Sequence, residues 1–337
     1  MSSVHAIDAL AARAFAPVRA AVEADAIPGA VLGLVTRDGT RAVHHLGLAQ
    51  RAPETVALSR ETWFDLASLT KVIFTTTQVL EEAAKGRIDL DAPLTSLIPD
   101  YRQYHADCWE RQVTFRQCLG HDTPFPAVAP LYTYGQDPET LRAFILQREW
   151  PKGPPVYSDI NFIVLGIALE RLRGRMLAAM DPGWGLSFAP PADACAATER
   201  CTWRGRVMRG QVHDENAFAL GGAGHAGLFG TIDAVLDFAR DVLAGAGLAA
   251  ETIALMRSPV RPTRSHGWQT PHAGWSGGDD CNGSVIGHTG FTGTGLWLDF
   301  ERGRAWSLLT NRVHPSRHVE TGINALRRNV GDIVNAN

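Results

Sequence analysis

The sequence predicts an α/β (α+β) fold in which an antiparallel sheet flanked by helices is formed by both ends of the chain. Short β-rich runs separated by turn residues begin at about Ala30 and return toward the carboxyl terminus. The stretch from 87 to about 210 has a helical, irregular pattern broken by proline and glycine. These patterns predict an α/β body at 1–75 and 210–337, an inserted, mostly helical subdomain at 76–209, and an active site in the cleft between them.

The first quarter of the chain predicts a helix, a hairpin and a second helix. Residues 1–29 place apolar side chains at helical spacing. The next two apolar runs are joined by Asp38-Gly39, a typical hairpin turn. Residues 64–85 have the pattern of a long helix that ends at Gly86.

Further elements follow in the middle and at the end of the chain. Helical patterns in the inserted region fall near 90–99, 113–120, 138–148 and 160–173. The carboxyl-terminal part predicts an amphipathic helix over 231–244, capped by Thr231 or Asp233, the strands VIGHTG, GTGLWLDF and RAWSLLTN, and a closing amphipathic helix over 317–334.

Composition limits the class of protein. With 337 residues, of which 45% are hydrophobic, the chain can bury a large core. The net charge of −3 provides no basic surface, so we expect no nucleic-acid or membrane partner. Charged residues interrupt the first helix and no run is long enough to span a membrane, which predicts a cytoplasmic protein. Five scattered cysteines without a C-x-x-C pair predict reduced thiols and no structural zinc; no cofactor is expected, and the oligomeric state is open.

Ser68 and Lys71 form the arrangement best suited to catalysis. A hydroxyl is a weak nucleophile until a neighbouring group takes its proton, and a lysine three residues on lies one helical turn away on the same face. Only three of the 32 basic residues are lysines, so the 13 serines give about 0.12 Ser-x-x-Lys pairs by chance. Arginine would serve a surface equally well but cannot give up its proton. The alternative is a solvated pair on an ordinary helix.

Two further stretches have residue types that such a hydrolase needs. In VYSDIN, Tyr157 and Asp159 precede a helix, where a phenol can accept or donate a proton. A half-buried tyrosine bonded to the backbone is the alternative. In GHTGFTGTGLWLD, the small residues around His288, Thr289 and Gly290 let a substrate lie against a strand edge. A glycine-rich hairpin without a role in catalysis is the alternative there.

In this order and spacing, the three stretches resemble the serine β-lactamase and penicillin-binding-protein superfamily. Similar segments also include PGAVLGLV, CLGHDTPFP, VHDENAFALGGAGHAGLFG and LLTNRVHPSR, so the resemblance covers most of the chain. The branch is the class C-like one, with family VIII esterases, D-aminopeptidases and muropeptide amidases. The resemblance implies a β-lactamase/transpeptidase-like fold and the following roles: Ser68 as nucleophile, Lys71 as its partner base, Tyr157 as the second-motif tyrosine, His288-Thr289-Gly290 as the third motif, and the backbone amides of Ser68 and Phe291 as the oxyanion hole.

The chain departs from the family pattern at two positions. The second-motif position often filled by asparagine is Asp159, whose carboxylate, if ionised close to Lys71, raises the lysine pKa and shifts the role of base toward Tyr157. The third-motif lysine of many relatives is His288, which is mostly neutral at neutral pH. Loss of that charge weakens the case for β-lactams and D-alanyl peptides, whose carboxylate the lysine helps to bind. Whether Lys71 or Tyr157 is the general base stays open.

The sequence therefore predicts a serine hydrolase that forms a covalent acyl-enzyme with a small ester or amide, with carboxylesterase activity ranked first. A D-amino-acid peptidase or muropeptide amidase is ranked second and a weak β-lactamase third. An inactive sensor that binds an acyl ligand is the non-enzymatic alternative. The natural acyl group is not specified by these motifs.

Other signals predict no additional site. Residues 222–227 match G-x-G-x-x-G, but no strand leads into them, so we expect no nucleotide site. Residues 213–215, even with His225, have adjacent spacing that points side chains apart, so no metal site is predicted. Four tryptophans are expected in segments near the cleft, where packing is their usual role: Trp203, Trp268, Trp275 and Trp297.

Overall fold

The structure, a computed structural model, describes residues 3–135 and 137–336. Its β-strands are β1 Gly29–Thr36, β2 Arg41–Gln50, β3 Val56–Ala57, β4 Phe64–Asp65, β5 Ala197–Cys201, β6 Arg206–Arg209, β7 Phe229–Gly230, β8 Pro259–Arg261, β9 Arg264–Ser265, β10 Val285–Thr289, β11 Gly295–Asp299 and β12 Arg304–Thr310. Its α-helices are α1 Ser3–Glu23, α2 Thr77–Ala84, α3 Phe115–Leu119, α4 Pro138–Gln147, α5 Asp159–Arg173, α6 Glu215–Ala219, α7 Ile232–Ala244, α8 Ala250–Arg257 and α9 Ile323–Asn335. A π-helix, Lys71–Thr76, leads directly into α2.

Both ends of the chain meet in one antiparallel sheet. Its strand order is β10-β11-β12-β1-β2-β3, and β1 pairs with β12 in the register Ala30↔Thr310. β1 is buried along nearly its whole length because helices cover both faces of the sheet. Alternate β1 residues therefore enter two different cores: Leu32 packs with α1 and α9, and Val31 packs with α7. The predicted fold class, an antiparallel sheet flanked by helices, is confirmed.

Helix α5 forms the centre of the helical part of the molecule. Its residues from Ile160 to Leu169 are all buried, which explains its nearly continuous apolar sequence. Ser158 caps its first turn by accepting a hydrogen bond from the amide of Ile160. The first residue of α5, Asp159, is thereby held facing the π-helix that follows Ser68.

Several predicted elements have the predicted limits. The β1–β2 hairpin turns at the predicted glycine, Gly39, which has a positive φ. Helix α7 begins after Thr231, whose hydroxyl accepts a hydrogen bond from the amide of Ala234. The three predicted carboxyl-terminal strands are β10, β11 and β12.

Other predicted elements were wrong in extent. The helix predicted over 64–85 starts later than predicted. Residues 64–70 form the short strand β4 and a tight turn, because the Asp65 carboxylate accepts the amide hydrogen of Ala67 and bends the chain, and the π-helix and α2 follow. The closing helix begins later than predicted, after Gly322 with its left-handed φ of 65°. The predicted helical region also contains the β5–β6 hairpin, whose short strands have no regular alternation.

No helix in residues 3–135 or 137–336 is both long and apolar enough to cross a membrane. All five cysteines are free thiols.

Candidate active site

A cavity of about 890 Å³ lies between the β10 edge of the sheet and the helical part of the chain. All the predicted site residues except Lys71 contribute to its wall: Ser68, Tyr157, Asp159, His288, Thr289, Gly290 and Phe291. Lys71 is completely buried beneath this wall. Residues from three distant segments of the sequence are thus brought to one cavity.

A strained turn presents Ser68 to the cavity. The preceding residue, Ala67, has a φ of 47°, a conformation that costs a non-glycine residue free energy and often occurs at functional sites. The fully buried Asp65 holds this turn by accepting the amide hydrogens of Ala67 at 2.8 Å and His213 at 2.6 Å. Burial raises the pKa of the Asp65 carboxyl, although these amide hydrogen bonds oppose the rise.

The Lys71 amine is surrounded by three oxygen acceptors. Nζ lies 2.8 Å from Ser68 Oγ, 2.8 Å from Asp159 Oδ1 and 3.1 Å from the carbonyl oxygen of His225. An ammonium group has three N–H donors and no acceptor, so each of these contacts can take one hydrogen. The geometry therefore favours the protonated form, in which Lys71 donates to Ser68.

Electrostatics favour the same form of Lys71. Burial by itself would lower the pKa of this ammonium, but the charge of the Asp159 carboxylate, together with Tyr157, outweighs burial and raises the pKa above its ordinary value of 10.5. A lysine that stays protonated cannot take the Ser68 proton. The carboxylate at the second-motif position thus favours Lys71 as a donor and positive charge.

Tyr157 is surrounded by cationic and imidazole side chains. Its ring centroid lies 5.1 Å from Lys71 Nζ and 4.9 Å from the guanidinium carbon of Arg264. The imidazole rings of His121 and His288 lie 4.5 Å and 5.8 Å from it, centroid to centroid. Two positively charged side chains, Lys71 and Arg264, thus lie against the Tyr157 ring.

Both histidines beside Tyr157 are held neutral. Burial, followed by the charges of Arg264 and Lys71, lowers the pKa of His121 and of His288 well below the usual range. His121 Nδ1 accepts the amide hydrogen of Ser158 at 3.0 Å, which fixes the loop before α5. His288 Nδ1 lies 2.9 Å from the carbonyl oxygen of Thr289, to which it donates as a neutral ring. His288 therefore adds no positive charge to the cavity.

The third motif ends the edge strand β10 with backbone groups directed toward the cavity. Gly287 exchanges hydrogen bonds with Gln269 on the outer side of β10, at 2.9 Å and 3.0 Å. Because backbone direction alternates along a strand, Thr289, two residues further on, presents its amide and carbonyl on the same outer side. Thr289 lines the cavity there, so an extended substrate has a strand edge to pair with.

The turn after β10 is attached directly to the Ser68 turn. The hydroxyls of Thr292 and Thr294 donate to the carbonyl oxygens of Asp65 at 2.7 Å and Leu66 at 3.0 Å. Arg327 of α9 donates from the other side to the carbonyl oxygens of Gly290 and Thr294. These bonds fix the two predicted oxyanion amides relative to each other.

The backbone of Phe291 is held by a hydrogen bond, while its ring is exposed. Its side chain is 48% exposed and lies between the His213 ring, 5.6 Å away, and the Arg312 guanidinium, 4.9 Å away. Arg312 Nε also donates to the Phe291 carbonyl oxygen at 2.9 Å. Within the described residues, neither the amide of Phe291 nor that of Ser68 donates to a protein acceptor, so both are available to a bound oxyanion.

Gly290→Ala is expected to destabilise the protein by about 1–3 kcal/mol, because an added Cβ overpacks the junction of these two turns. That Cβ would lie 2.1 Å from Thr294 Oγ1 and 2.6 Å from the Leu66 carbonyl oxygen. These two oxygens are already joined by a hydrogen bond. Gly283→Ala is the matched control, since a Cβ there meets nothing within 4 Å. Urea unfolding of both variants measures the difference; equal midpoints would contradict the close contact.

The sequence analysis assigned no role to several charged residues that line the cavity. The first is a pair, Asp214 and His225, with Nε2 2.9 Å from Oδ1. Burial would raise the pKa of the Asp214 carboxyl, but His225 outweighs it and holds the pKa well below its usual range. The others are two glutamates, Glu215 and Glu320, and four arginines, Arg264, Arg312, Arg317 and Arg327. In a sequence rich in arginine nothing distinguished these four, because their partners come from distant segments.

Of the side chains that the sequence expected to point apart, some do and some do not. The His213 ring turns away from the neighbouring Asp214, and its Nε2 lies 3.0 Å from Glu199 Oε2. Asp159, Asp214 and His225, however, bring one ligand atom each within 4.8 Å of one another. The Lys71 ammonium already contacts Asp159 at 2.8 Å, and its positive charge would repel a metal ion bound there.

The tryptophans expected near the cleft mostly lie elsewhere. Trp268, Trp275 and Trp297 are buried in the cores, and none of them lines the cavity. Trp203 is 37% exposed and its ring lies 4.7 Å from Tyr132, which does line the cavity. The loop 222–227 borders the cavity through His225 and Ala226, as a tight turn packed on α5.

Comparison with known proteins gives consistent matches across the chain. Residues 16–328 match the sequence model of the family described as Beta-lactamase. The chain is 26% identical to an N-acetylmuramyl-L-alanine amidase of Bacillus subtilis (strain 168), over 85% of this chain and 78% of that protein. It is 27% identical to a putative D-alanyl-D-alanine carboxypeptidase of Salmonella agona (strain SL483), over 77% of this chain and 71% of that protein. Its fold is similar to that of EstCE1, a hydrolase with promiscuous acyltransferase activity, with a TM-score of 0.72 and 21% identity over 98% of this chain and 100% of that chain.

Proposed function

Because the chain belongs to the β-lactamase family of serine hydrolases, we propose that it cleaves small esters or amides through a covalent acyl-enzyme on Ser68. The observation that carries this proposal is the environment of Lys71. Its amine lies 2.8 Å from Ser68 Oγ and 2.8 Å from the Asp159 carboxylate. An ammonium held in this way stabilises negative charge developing on Oγ.

The proposed reaction begins with transfer of the Ser68 proton to the oxygen of Tyr157, which starts the cycle as the phenolate. Oγ forms a bond to the substrate carbonyl carbon, and an electron pair moves onto the carbonyl oxygen, which the amides of Ser68 and Phe291 bind. When that electron pair returns, the bond to the leaving group breaks and Tyr157 returns the proton to it. Water then attacks the acyl-enzyme by the same steps and releases the acid and free Ser68.

Esterase activity is our first candidate because an ester leaving group needs less protonation than an amine does. His288 supplies no permanent charge for a substrate carboxylate, since burial keeps its ring neutral. A small acyl ester of a good leaving group should therefore be hydrolysed without help from a charged third motif.

An amidase or peptidase acting on D-amino-acid or muropeptide amides is the second candidate. It is supported by the names of the curated relatives and by two arginines of the cavity, Arg312 and Arg327. Neither lies in an ion pair with a carboxylate in the described part of the chain. The charge of Glu320 acts on Arg312, and Arg327 donates to two backbone carbonyl oxygens, but each guanidinium keeps a positive charge that can attract an anionic substrate group. A weak β-lactamase is third, and a sensor that is acylated but not turned over is fourth.

A labelling experiment with a panel of substrates tests the proposal. A fluorophosphonate probe should add once per chain, and peptide mass spectrometry should locate the adduct on Ser68. A p-nitrophenyl acyl ester should be hydrolysed faster than a D-alanine amide, a muramyl peptide or nitrocefin. Absence of both adduct and turnover would sink the hydrolase proposal, whereas a stable adduct with negligible turnover would favour the sensor.

A further inference from the structure

Arg264 lies over the ring of Tyr157 and, among the residues that the structure describes, forms no ion pair with a carboxylate. It begins β9 in the cavity wall, and its guanidinium carbon is 4.9 Å from the centroid of the tyrosine ring. Its Nη1 is buried and has no hydrogen-bond acceptor among residues 3–135 and 137–336. A buried guanidinium without a carboxylate costs free energy, because it gives up hydration without compensation.

A negative charge on Tyr157 would offset this cost. Burial lowers the pKa of the Arg264 guanidinium, and negative charge on Tyr157 opposes that fall. The like charge of Arg261 further lowers the pKa of Arg264. Asp122 partly compensates the Arg261 charge, since its Oδ1 lies 3.6 Å from Arg261 Nε. The positive charge of Arg264 is thus complementary to a phenolate at Tyr157.

The other titratable groups that face Tyr157 are either neutral or paired with a carboxylate. Lys71, from the π-helix, also interacts with Tyr157, but its ammonium is paired with the Asp159 carboxylate at 2.8 Å. His121, from the loop after α3, and His288, from β10, are neutral because burial and the neighbouring cations lower the pKa of each ring. Within the described chain, Arg264 is therefore the cation beside Tyr157 that no carboxylate neutralises.

We propose that Arg264 is a positioning residue that stabilises the phenolate form of Tyr157 and so allows Tyr157, and not Lys71, to take the Ser68 proton. This inference rests on the proposed function of the site. Arginine suits such a role because it stays protonated under conditions in which a buried lysine can lose its charge. In the proton transfer the phenolate oxygen gains the Ser68 hydrogen, and the neutral phenol later returns it to the leaving group.

The pH dependence of kcat/KM tests this role with an uncharged p-nitrophenyl ester. Its acid limb reports ionisation of the base in the free enzyme. In Arg264→Gln, we expect the acid limb to move to higher pH by about one unit or more. Arg264→Lys keeps the charge and should restore most of the limb. Arg317→Gln is the matched control, because its guanidinium lines the same cavity but is paired with Glu199 and Glu215 and should leave the limb in place.

A direct titration separates this inference from the proposed function. Ultraviolet absorbance measures tyrosinate, and the difference between each protein and its Tyr157→Phe variant isolates Tyr157. The tyrosinate signal should move to higher pH in Arg264→Gln and return in Arg264→Lys. An unchanged acid limb and an unchanged tyrosinate signal in folded Arg264→Gln would overturn the inference. Lack of a probe adduct on Ser68 would instead refute the proposed function, while the tyrosinate titration would still measure the effect of Arg264.

Discussion

Ser68→Ala is expected to lower turnover of a p-nitrophenyl acyl ester by about 10⁴-fold or more, because no other group can form the acyl-enzyme. The variant should fold, since it loses only an acceptor for Lys71, a change of about 1 kcal/mol or less. Steady-state kinetics and urea unfolding measure the two effects separately. Substrate binding should persist because the cavity and its backbone amides remain.

Ser96→Ala is the matched control for that experiment. Ser96 is exposed at the end of a short 3-10 helix away from the cavity, so the substitution should leave turnover unchanged. Retention of turnover in Ser68→Ala would contradict the assignment of the nucleophile. A loss of turnover in Ser96→Ala would indicate a general effect on the protein preparation.

Lys71→Met is expected to lower kcat/KM about 10³-fold and to destabilise the fold by about 3–5 kcal/mol. Methionine fills the buried space of lysine but leaves the Asp159 carboxylate without its ammonium partner, 2.8 Å away in the wild type. The loss in activity follows from removal of the positive charge beside Ser68 Oγ. Ester kinetics and urea unfolding measure both losses, and Lys152→Met, in an exposed loop, is the control that should show neither.

The loss of stability in Lys71→Met should depend on pH in a defined direction. The folded-state pKa of Lys71 is raised above its ordinary value of 10.5. Its contribution to stability is therefore fully present below pH 10.5 and is lost as the pH rises through the folded-state pKa. The difference in free energy of unfolding between wild type and variant should stay constant near neutral pH and narrow only in alkaline solution. A difference that disappears already near neutral pH would show that Lys71 is not the stabilised ammonium.

Local patterns in the sequence determined the positions of most elements. Two apolar runs and the turn at Gly39 specify the β1–β2 hairpin, because strand propensity and turn conformation are properties of a few adjacent residues. The same holds for the cap of α7 at Thr231. The segment 64–85 shows the limit of this reasoning: an apolar run predicted one helix, but strand pairing with β7 and the buried Asp65 carboxylate bent its start.

For the candidate site, too, the sequence predicted some features and only the tertiary structure provided the others. The spacing of Ser68 and Lys71 and the family resemblance placed the expected reactive groups, and the structure brings them to one cavity with their partners. The sequence raised a charged Lys71 and a neutral His288 as expectations, but the 2.8 Å contact of Lys71 with Asp159, the burial of His288 and the position of Arg264 over Tyr157 came only from the tertiary structure. Protonation and ion pairing depend on burial and on charges from distant segments, which no local pattern in the sequence reports.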